Sequence, residues 1–359
     1  MRILALVTDA FGGYGGIAQY NRDLLSALSR SGCVEEIVVV PRFAHRDMEA
    51  LPAKVRQVPP RASRMSYVAK SLSEAQRAGP FDVVFSGHLF HTPLAALIGR
   101  AMNVPVWLQT HGIDAWDCPA PLVRASAERA SLITTVSRHT KQRLLSWANV
   151  APERVRVLPN TFRPIFSPGP ADTRLLQQHG LDGRKIILTV ARLAKADHYK
   201  GHGKIMEALP AVLAHHADAV YVVVGEGDAR QGIEDEVNRR GLGQHVRFLG
   251  RLSDAHVLDL YRSAQVFAMP SSKEGFGIVF VEAAATGLPV IGGNRDGSRD
   301  ALADGAIGTM IDPDDTDALA ASILAALARP KRSDVAAVQR FAFDKFAHHV
   351  GQLAQSLAS

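Results

Sequence analysis

Apolar residues in this chain come in short runs rich in valine and isoleucine, separated by longer stretches where they recur every three or four positions. Runs that are apolar at every position fit strands buried on both faces, and the periodic stretches fit helices. Ile3 to Val7, Ile37 to Val40, Val83 to Phe85, Val104 to Leu108, Leu132 to Val136 and Val155 to Leu158 therefore predict one parallel sheet. The alternation then restarts. Ile186 to Val190, Val220 to Val224, Val246 to Leu249, Val266 to Met269, Pro289 to Ile291 and Thr309 to Ile311 predict a second. Between the two series lies Pro159 to Pro170, whose four prolines remove donors and fix φ, so a stiff linker is expected there. The last segment, Phe341 to Leu357, carries Phe343, Phe346, Val350 and Leu353 at helical spacing. The pattern is that of an α/β protein, and 359 residues suit two domains of ordinary size.

Composition narrows the class. With 47% apolar and 21% charged residues the chain reads as globular. The run Ile3 to Val7 is too short for a signal-peptide core or a membrane span, and no later run reaches spanning length, so a cytoplasmic protein is expected. Cys33 and Cys118 lack metal-ligand spacing, which suits a reducing compartment. The formal charge of +6 is unevenly spread: between residues 41 and 80, eight basic side chains (Arg42, Arg46, Lys54, Arg56, Arg61, Arg64, Lys70, Arg77) meet three acidic ones (Asp47, Glu49, Glu74). With Met65, Tyr67 and Val68 among the charges, this stretch can rest on anionic lipid at the inner face of the plasma membrane or bind a pyrophosphate-bearing acceptor. A solvated loop and helix is the plain alternative. Nucleic acid is not expected as a partner, since no binding motif or stacking platform accompanies the charge.

The chemistry concentrates in four segments. Glu274-Gly-Phe-Gly-Ile-Val-Phe-Val-Glu282 places two carboxylates around a glycine-rich turn that opens a helix. Gly275 and Gly277 let backbone approach a ligand, and the helix N-terminus near Gly277 favours an anion. Glu274 can accept hydrogen bonds from sugar hydroxyls, and Glu282 from a ribose. Arg192 and Lys200 supply two cations for a departing diphosphate, with surface ion pairs as the alternative. His111 and Asp114 follow a strand end, where side chains reach the crevice of a parallel sheet. His111 can bond a donor sugar or be structural; Asp114 can orient an acceptor hydroxyl. The remaining histidines lie mostly on polar faces or in pairs and are expected to be solvated. Gly12 to Gly16 follows the first strand, and Gly13-Tyr14-Gly15-Gly16-Ile17-Ala18 satisfies the dinucleotide pattern G-x-G-x-x-A. That motif supports an NADP-dependent oxidoreductase, with Arg42 on the 2′-phosphate, as a competing class. Asp296-Gly297-Ser298 should begin another helix, whose amides can line a sugar pocket or simply cap it. Asp312-Pro313-Asp314 matches a D-x-D metal motif but precedes the apolar helix Ala318 to Leu327, where acidic residues act as caps.

Taken together, Glu274 to Glu282, Val190-Ala-Arg192-Leu193 with Lys200-Gly201-His202, Gln109-Thr-His111-Gly112-Ile-Asp114 and Gly12 to Gly16 resemble, in order, the motifs of the retaining glycosyltransferases of family 4. The resemblance spans nearly the whole chain. It implies the GT-B architecture of two facing Rossmann-like domains with a cleft between them: 1–163 for the acceptor, 164–340 for the nucleotide sugar, and 341–359 as a helix crossing back. His111, Arg192, Lys200 and Glu274 would be catalytic. Gly15, Gly16, Arg192, Lys200, Glu274, Gly275, Phe276, Gly277, Ile278 and Glu282 would hold the donor. Asp114, Arg56, Arg61 and Arg64 would meet the acceptor. The implied reaction moves a hexose from a UDP-glucose or GDP-mannose type donor to a hydroxyl, on a lipid-linked glycan of exopolysaccharide or lipopolysaccharide synthesis, without a cofactor or required metal. A sugar-nucleotide-binding protein with a degenerate site is a further alternative, opposed by the presence of every candidate residue. Two departures mark this chain: Pro159-Asn160-Thr161 stands where many members have Pro-Asn-Gly, and Asp197 to Tyr199 lengthens the loop between Arg192 and Lys200.

Overall fold

A computed structural model describes residues 1–45, 50–328 and 336–358. The chain divides into two compact units, one formed by Met1–Thr161 with the final helix from Phe343, the other by Phe162–Ala342. The first unit holds strands β1 (Arg2–Val7), β2 (Glu36–Pro41), β3 (Val55–Gln57), β4 (Val83–Ser86), β5 (Val106–Thr110), β6 (Leu132–Thr135) and β7 (Val155–Val157). Helices α1 (Gly15–Arg30), α2 (Arg64–Arg77), α3 (Thr92–Met102), α4 (Pro121–Glu128) and α5 (Arg138–Leu145) connect them. All neighbours are parallel, in the order β3-β2-β1-β4-β5-β6-β7. The order reverses between β1 and β4, and at such a switch point the strand ends open a crevice for ligands.

The second unit contains α6 (Arg174–Gln178), β8 (Lys185–Val190), α7 (His202–Leu213), β9 (Ala219–Val224), α8 (Arg230–Arg239), β10 (Val246–Gly250), α9 (Asp254–Ser263), β11 (Val266–Met269), α10 (Ile278–Ala285), β12 (Val290–Gly293), α11 (Ser298–Ala301), β13 (Thr309–Ile311) and α12 (Thr316–Leu327). Its sheet is again wholly parallel, ordered β10-β9-β8-β11-β12-β13, with its switch point between β8 and β11. Both sheets are valine- and isoleucine-rich because helices cover both faces: Val220, Tyr221, Val222 and Val223 are fully buried in succession. Residues 159–170 form no helix or named strand, only a bridge between Phe162 and Ala342.

Three details depart from the apolar pattern. Strand β3 was not anticipated, because Val55 is its single buried residue and Arg56 and Gln57 look like loop. Strand β5 begins at Val106 rather than Val104 and runs on through Gln109 and Thr110. These polar residues are buried because they bond inward: Gln109 Oε1 accepts from Tyr20 at 2.9 Å and from Thr134 at 2.5 Å. Strand β12 likewise ends at Gly293 instead of Ile291.

The final helix, α13 (Phe343–Ala358), buries Phe346, Val350 and Ala354, four residues apart, and belongs with the first unit. Phe346 meets Tyr20 of α1 edge-on at 5.8 Å, and the Arg30 guanidinium lies 4.6 Å from the Phe343 ring. Trp107, Trp116 and Trp147, the chain's only tryptophans, all lie in this unit, so their fluorescence reports its unfolding alone. Phe346→Ala should destabilise that transition by about 3 kcal/mol, through lost burial and the cavity left. Urea unfolding followed by tryptophan fluorescence measures it; an unchanged midpoint would mean that α13 is not part of the cooperative unit.

Candidate functional site

In the second unit the candidate residues gather at the carboxyl ends of β8 and β11. Arg192 lies two residues past β8, and its side chain remains 71% exposed. Asp197 holds it through a side-on fork, with Oδ2 accepting from Nε at 2.7 Å and Oδ1 from Nη2 at 3.1 Å. Lys200 ends a 3-10 turn, Lys195–Lys200, and Gly201 follows in the left-handed region at φ 85°, capping α7. A Cβ at Gly201 would sit 2.6 Å from the Pro270 carbonyl oxygen, so only glycine lets this turn lie against the end of β11.

Glu274 follows β11, and its carboxylate pairs with the Lys200 ammonium. Both side chains are largely buried, at 10% and 16% exposure. The turn is pinned from a third strand end. Asp296 Oδ2 accepts the Glu274 N–H at 2.5 Å, Asp296 Oδ1 accepts the Ser298 N–H at 2.9 Å, and the Gly297 N–H donates to the Glu274 carbonyl at 2.9 Å. A Cβ at Gly297 would lie 2.0 Å from the Gly275 carbonyl oxygen. Burial pushes the Asp296 carboxyl up to about 6, against the hydrogen bonds it accepts.

Gly277, at φ 86°, caps α10, whose first turn begins at Ile278 and contains no acidic residue. Phe276 is buried edge-on against Phe341 at 5.4 Å, so this position offers a ligand its backbone rather than its ring. Glu282 is buried on α10, 3.8 Å from the Arg163 guanidinium. Asp312 and Asp314 both pair with Arg295, at 2.5 and 2.6 Å, while Asp315 caps α12 by accepting from Ala318 N–H at 2.8 Å. Among the described residues no group of three or more His, Cys, Asp or Glu is placed to hold a metal ion.

In the first unit, Gly12 and Gly15 adopt positive φ, 83° and 86°, and α1 starts at Gly15 with no side-chain cap. Side chains added at Gly15 or Gly16 would meet nothing within 4 Å, leaving backbone accessible there. Gly13 fits against Asp9 and Ala18, 2.8 Å from either Cβ if it had its own. His111, one residue past β5, places Nε2 2.9 Å from the Gly87 carbonyl, and its N–H donates to Asp114 Oδ1 at 2.9 Å. A carbonyl only accepts, so Nε2 carries the proton and Nδ1 the lone pair. Burial, with a smaller push from His88, brings the His111 pKa down to about 4 against the opposing charge of Asp114 and the bond to the Gly87 carbonyl. Asp114 Oδ2 is buried and 4.0 Å from His88 Nε2.

Sequence reasoning overlooked part of this edge. His91 is buried, its Nε2 3.2 Å from Thr8 Oγ1, and His202 is buried with Nδ1 2.7 Å from the Tyr221 hydroxyl, which corrects the expectation that such histidines are solvated. Burial pushes their pKa values down to about 3 and about 4. Asp9, just past β1, is raised to about 6 by burial. The available signal was position: each of these residues except His202 follows a strand of the first sheet.

Of the basic stretch, Arg61 and Arg64 are exposed, whereas Arg56 is drawn to Glu74 at 3.0 Å and Glu36 at 3.8 Å. Arg46, Asp47 and Glu49 lie outside the described residues. Arg42 donates to the Ala62 carbonyl at 2.9 Å and lies 4.9 Å from the Phe43 ring.

Comparison with known proteins places both halves of the chain. Residues 14–164 match Glycosyltransferase Family 4, and residues 172–339 match Glycosyl transferases group 1. These matches displace the oxidoreductase alternative, which accounted for the first half alone. A GDP-mannose-dependent alpha-(1-6)-phosphatidylinositol monomannoside mannosyltransferase of Mycolicibacterium smegmatis is 29% identical over 252 residues, 67% of this chain and 65% of that protein. The phosphatidyl-myo-inositol mannosyltransferase of the same organism is 38% identical over 44% of this chain and 39% of that protein. The chain thus spans less than two thirds of either relative. The crystal structure of Anabaena HepE in complex with UDP and glucose superimposes with a TM-score of 0.79 at 21% identity, covering 99% of this chain and all of that one, so the two parallel sheets have the GT-B fold.

The depressed histidine values set a pH dependence. Between pH 6.5 and about 4 the unfolded chain binds protons that folded His111 and His91 refuse, so the first unit loses stability as pH falls through that window; Asp9, with its raised pKa, acts in the opposite sense. His111→Gln should remove about 1–2 kcal/mol of the loss between pH 7 and 5. Tryptophan-detected unfolding at both pH values reads this out, and an NMR titration of His111 centred near 6.5 would contradict it.

Proposed function

The chain belongs to the glycosyltransferases, and on that premise we propose that it moves a hexose from a nucleoside diphosphate, of the UDP-glucose or GDP-mannose type, to a hydroxyl acceptor. One observation carries the reading. The buried Lys200 and Glu274 satisfy each other, so a ligand entering between them has to bring both an anion for the ammonium and hydroxyl donors for the carboxylate. A nucleotide sugar carries both within a few bonds. Arg192 offers a second cation at the same strand end, and α10 presents its uncapped first turn beside the Glu274 turn.

The chemistry follows from these positions. As the bond between the anomeric carbon and the β-phosphate oxygen breaks, negative charge grows on the diphosphate, where Arg192 and Lys200 lower its energy without a metal. Glu274 anchors donor hydroxyls and is not a nucleophile. The acceptor oxygen bonds to the same face of the sugar, its proton passes to the departing phosphate oxygen, and configuration is retained. On the first unit, His111, neutral with a lone pair on Nδ1, is suited to accept a hydrogen bond from a hydroxyl, and the Gly15 and Gly16 amides at the start of α1 are suited to an anion.

A lipid acceptor is supported by the mycobacterial relatives, whose names specify phosphatidylinositol substrates. Helix α2 supports it too. It buries Tyr67, Ser71, Glu74 and Ala75 while exposing Met65, Val68 and Leu72 beside Arg61 and Arg64. Among the described residues no helix is long and apolar enough to cross a membrane.

Arg192→Ala or Lys200→Ala should each lower kcat about 100-fold, with turnover of the parent surviving EDTA. Near-native rates in both variants would remove the clamp, and chelation that abolishes activity until magnesium or manganese is restored would demand a metal. Arg61→Glu/Arg64→Glu should weaken binding to anionic liposomes and raise KM for a lipid acceptor while leaving donor hydrolysis unchanged. Arg56 is left out because a carboxylate there would face Glu36 and Glu74. Parent-like liposome binding and KM would point instead to a small soluble acceptor.

A further inference from the structure

The segment Asp197 to Tyr199, between Arg192 and Lys200, supplies two side chains that the proposed reaction has not used. Asp197 is charged and yet only 5% exposed. Besides its fork to Arg192, Oδ1 accepts from the Tyr199 hydroxyl at 3.1 Å, and the Asp197 N–H donates to the Ala194 carbonyl at 2.7 Å. Burial would raise this carboxyl, but the hydrogen bonds and charge of Arg192, followed by the charge of Lys200, outweigh it and hold the pKa below the ordinary value. Tyr199 is fixed in turn. Its carbonyl accepts the Ser272 N–H at 3.1 Å, and its ring centre lies 5.4 Å from Lys200 Nζ.

A guanidinium has five N–H bonds in one plane. The side-on fork to Asp197 uses one on Nε and one on Nη2. Both Nη1 hydrogens and the second Nη2 hydrogen remain, and that end-on edge is a second fork matched to phosphate oxygens. Because the Arg192 side chain is 71% exposed, this edge is open to a ligand. A carboxylate fixed on one edge removes the rotamer freedom that a lone arginine would lose on binding.

We propose that Asp197 is a positioning residue that aims the end-on edge of Arg192 at the terminal phosphate of a nucleoside diphosphate, with Tyr199 fixing the carboxylate. The inference rests on the donor reading above and adds to it a device carried by the turn between Arg192 and Lys200.

Calorimetric titration with UDP, GDP, UMP and GMP separates the two claims without requiring the acceptor. In Asp197→Asn the affinity for the diphosphate that the parent prefers should fall about tenfold, as for loss of a charge-assisted fork, while affinity for the matching monophosphate stays at the parent level. Tyr199→Phe should show a smaller loss in the same direction. In an Arg192→Ala background, adding Asp197→Asn should change nothing further, because the aspartate acts through the arginine. Diphosphate affinity at or above the parent level in Asp197→Asn, with Arg192→Ala still weakened, would overturn the positioning role and leave the donor site standing. Equal losses for mono- and diphosphate would also overturn it, as general damage to the unit. If Arg192→Ala itself binds like the parent, or the parent binds neither diphosphate, the donor reading fails first.

Discussion

A buried ion pair between Lys200 and Glu274 sets the terms for everything at the end of β8 and β11. Taking an ammonium and a carboxylate out of water is costly, and removing one partner of such a pair typically costs about 3–5 kcal/mol because the other charge is left uncompensated. The pair is therefore exchangeable only for a ligand that compensates both halves together. The surrounding backbone fixes the turn that carries the carboxylate. Asp296 holds the Glu274 amide, and Gly297 meets its carbonyl at a distance no side chain would permit. Arg192 and Asp197 form a second charge-balanced pair at the same strand end.

The same architectural rule locates the residues of the first unit. Its order reverses between β1 and β4, and the segments leaving β1, β4 and β5 carry the glycine loop, His88 and His91, and His111 with Asp114. Burial works on His91 and His111 in one direction, disfavouring the cation. A neutral His111 whose proton is committed to the Gly87 carbonyl is a hydrogen-bond acceptor, not an acid.

Much of this was readable from the residues because buried parallel strands advertise themselves. Val220 to Val224 is apolar at every position, and so is Ile37 to Val40. The glycines at 275 and 277 marked a turn, and Gly277 indeed has positive φ at the start of α10. What escaped depends on contacts distant in sequence. Asp296 is 22 residues from the amide it holds, and nothing local distinguishes it from a simple cap. Gln109 and Thr110 read as the end of a strand because they are polar, yet Tyr20 and Thr134 satisfy them inside the core. Strand β3 has too few residues to show a period. Charge counting along residues 41 to 80 treated Arg56 and Glu74 as independent, although they face each other at 3.0 Å. The histidines at 91 and 202 escaped for the same reason, since their burial is created by Tyr67 and Tyr221.

The central claim is that one ligand exchanges the Lys200–Glu274 pair for its own phosphate and hydroxyls. A crystal structure with a nucleotide sugar bound, in the UDP-glucose or GDP-mannose form that shows the tighter affinity, tests it most directly. The account predicts Lys200 Nζ within about 3 Å of a β-phosphate oxygen, released from Glu274, with the Glu274 carboxylate turned to hydroxyls of the sugar and still tethered through its backbone to Asp296 and Gly297. A bound donor whose diphosphate lies away from Arg192 and Lys200, with the Lys200–Glu274 pair intact, would contradict it.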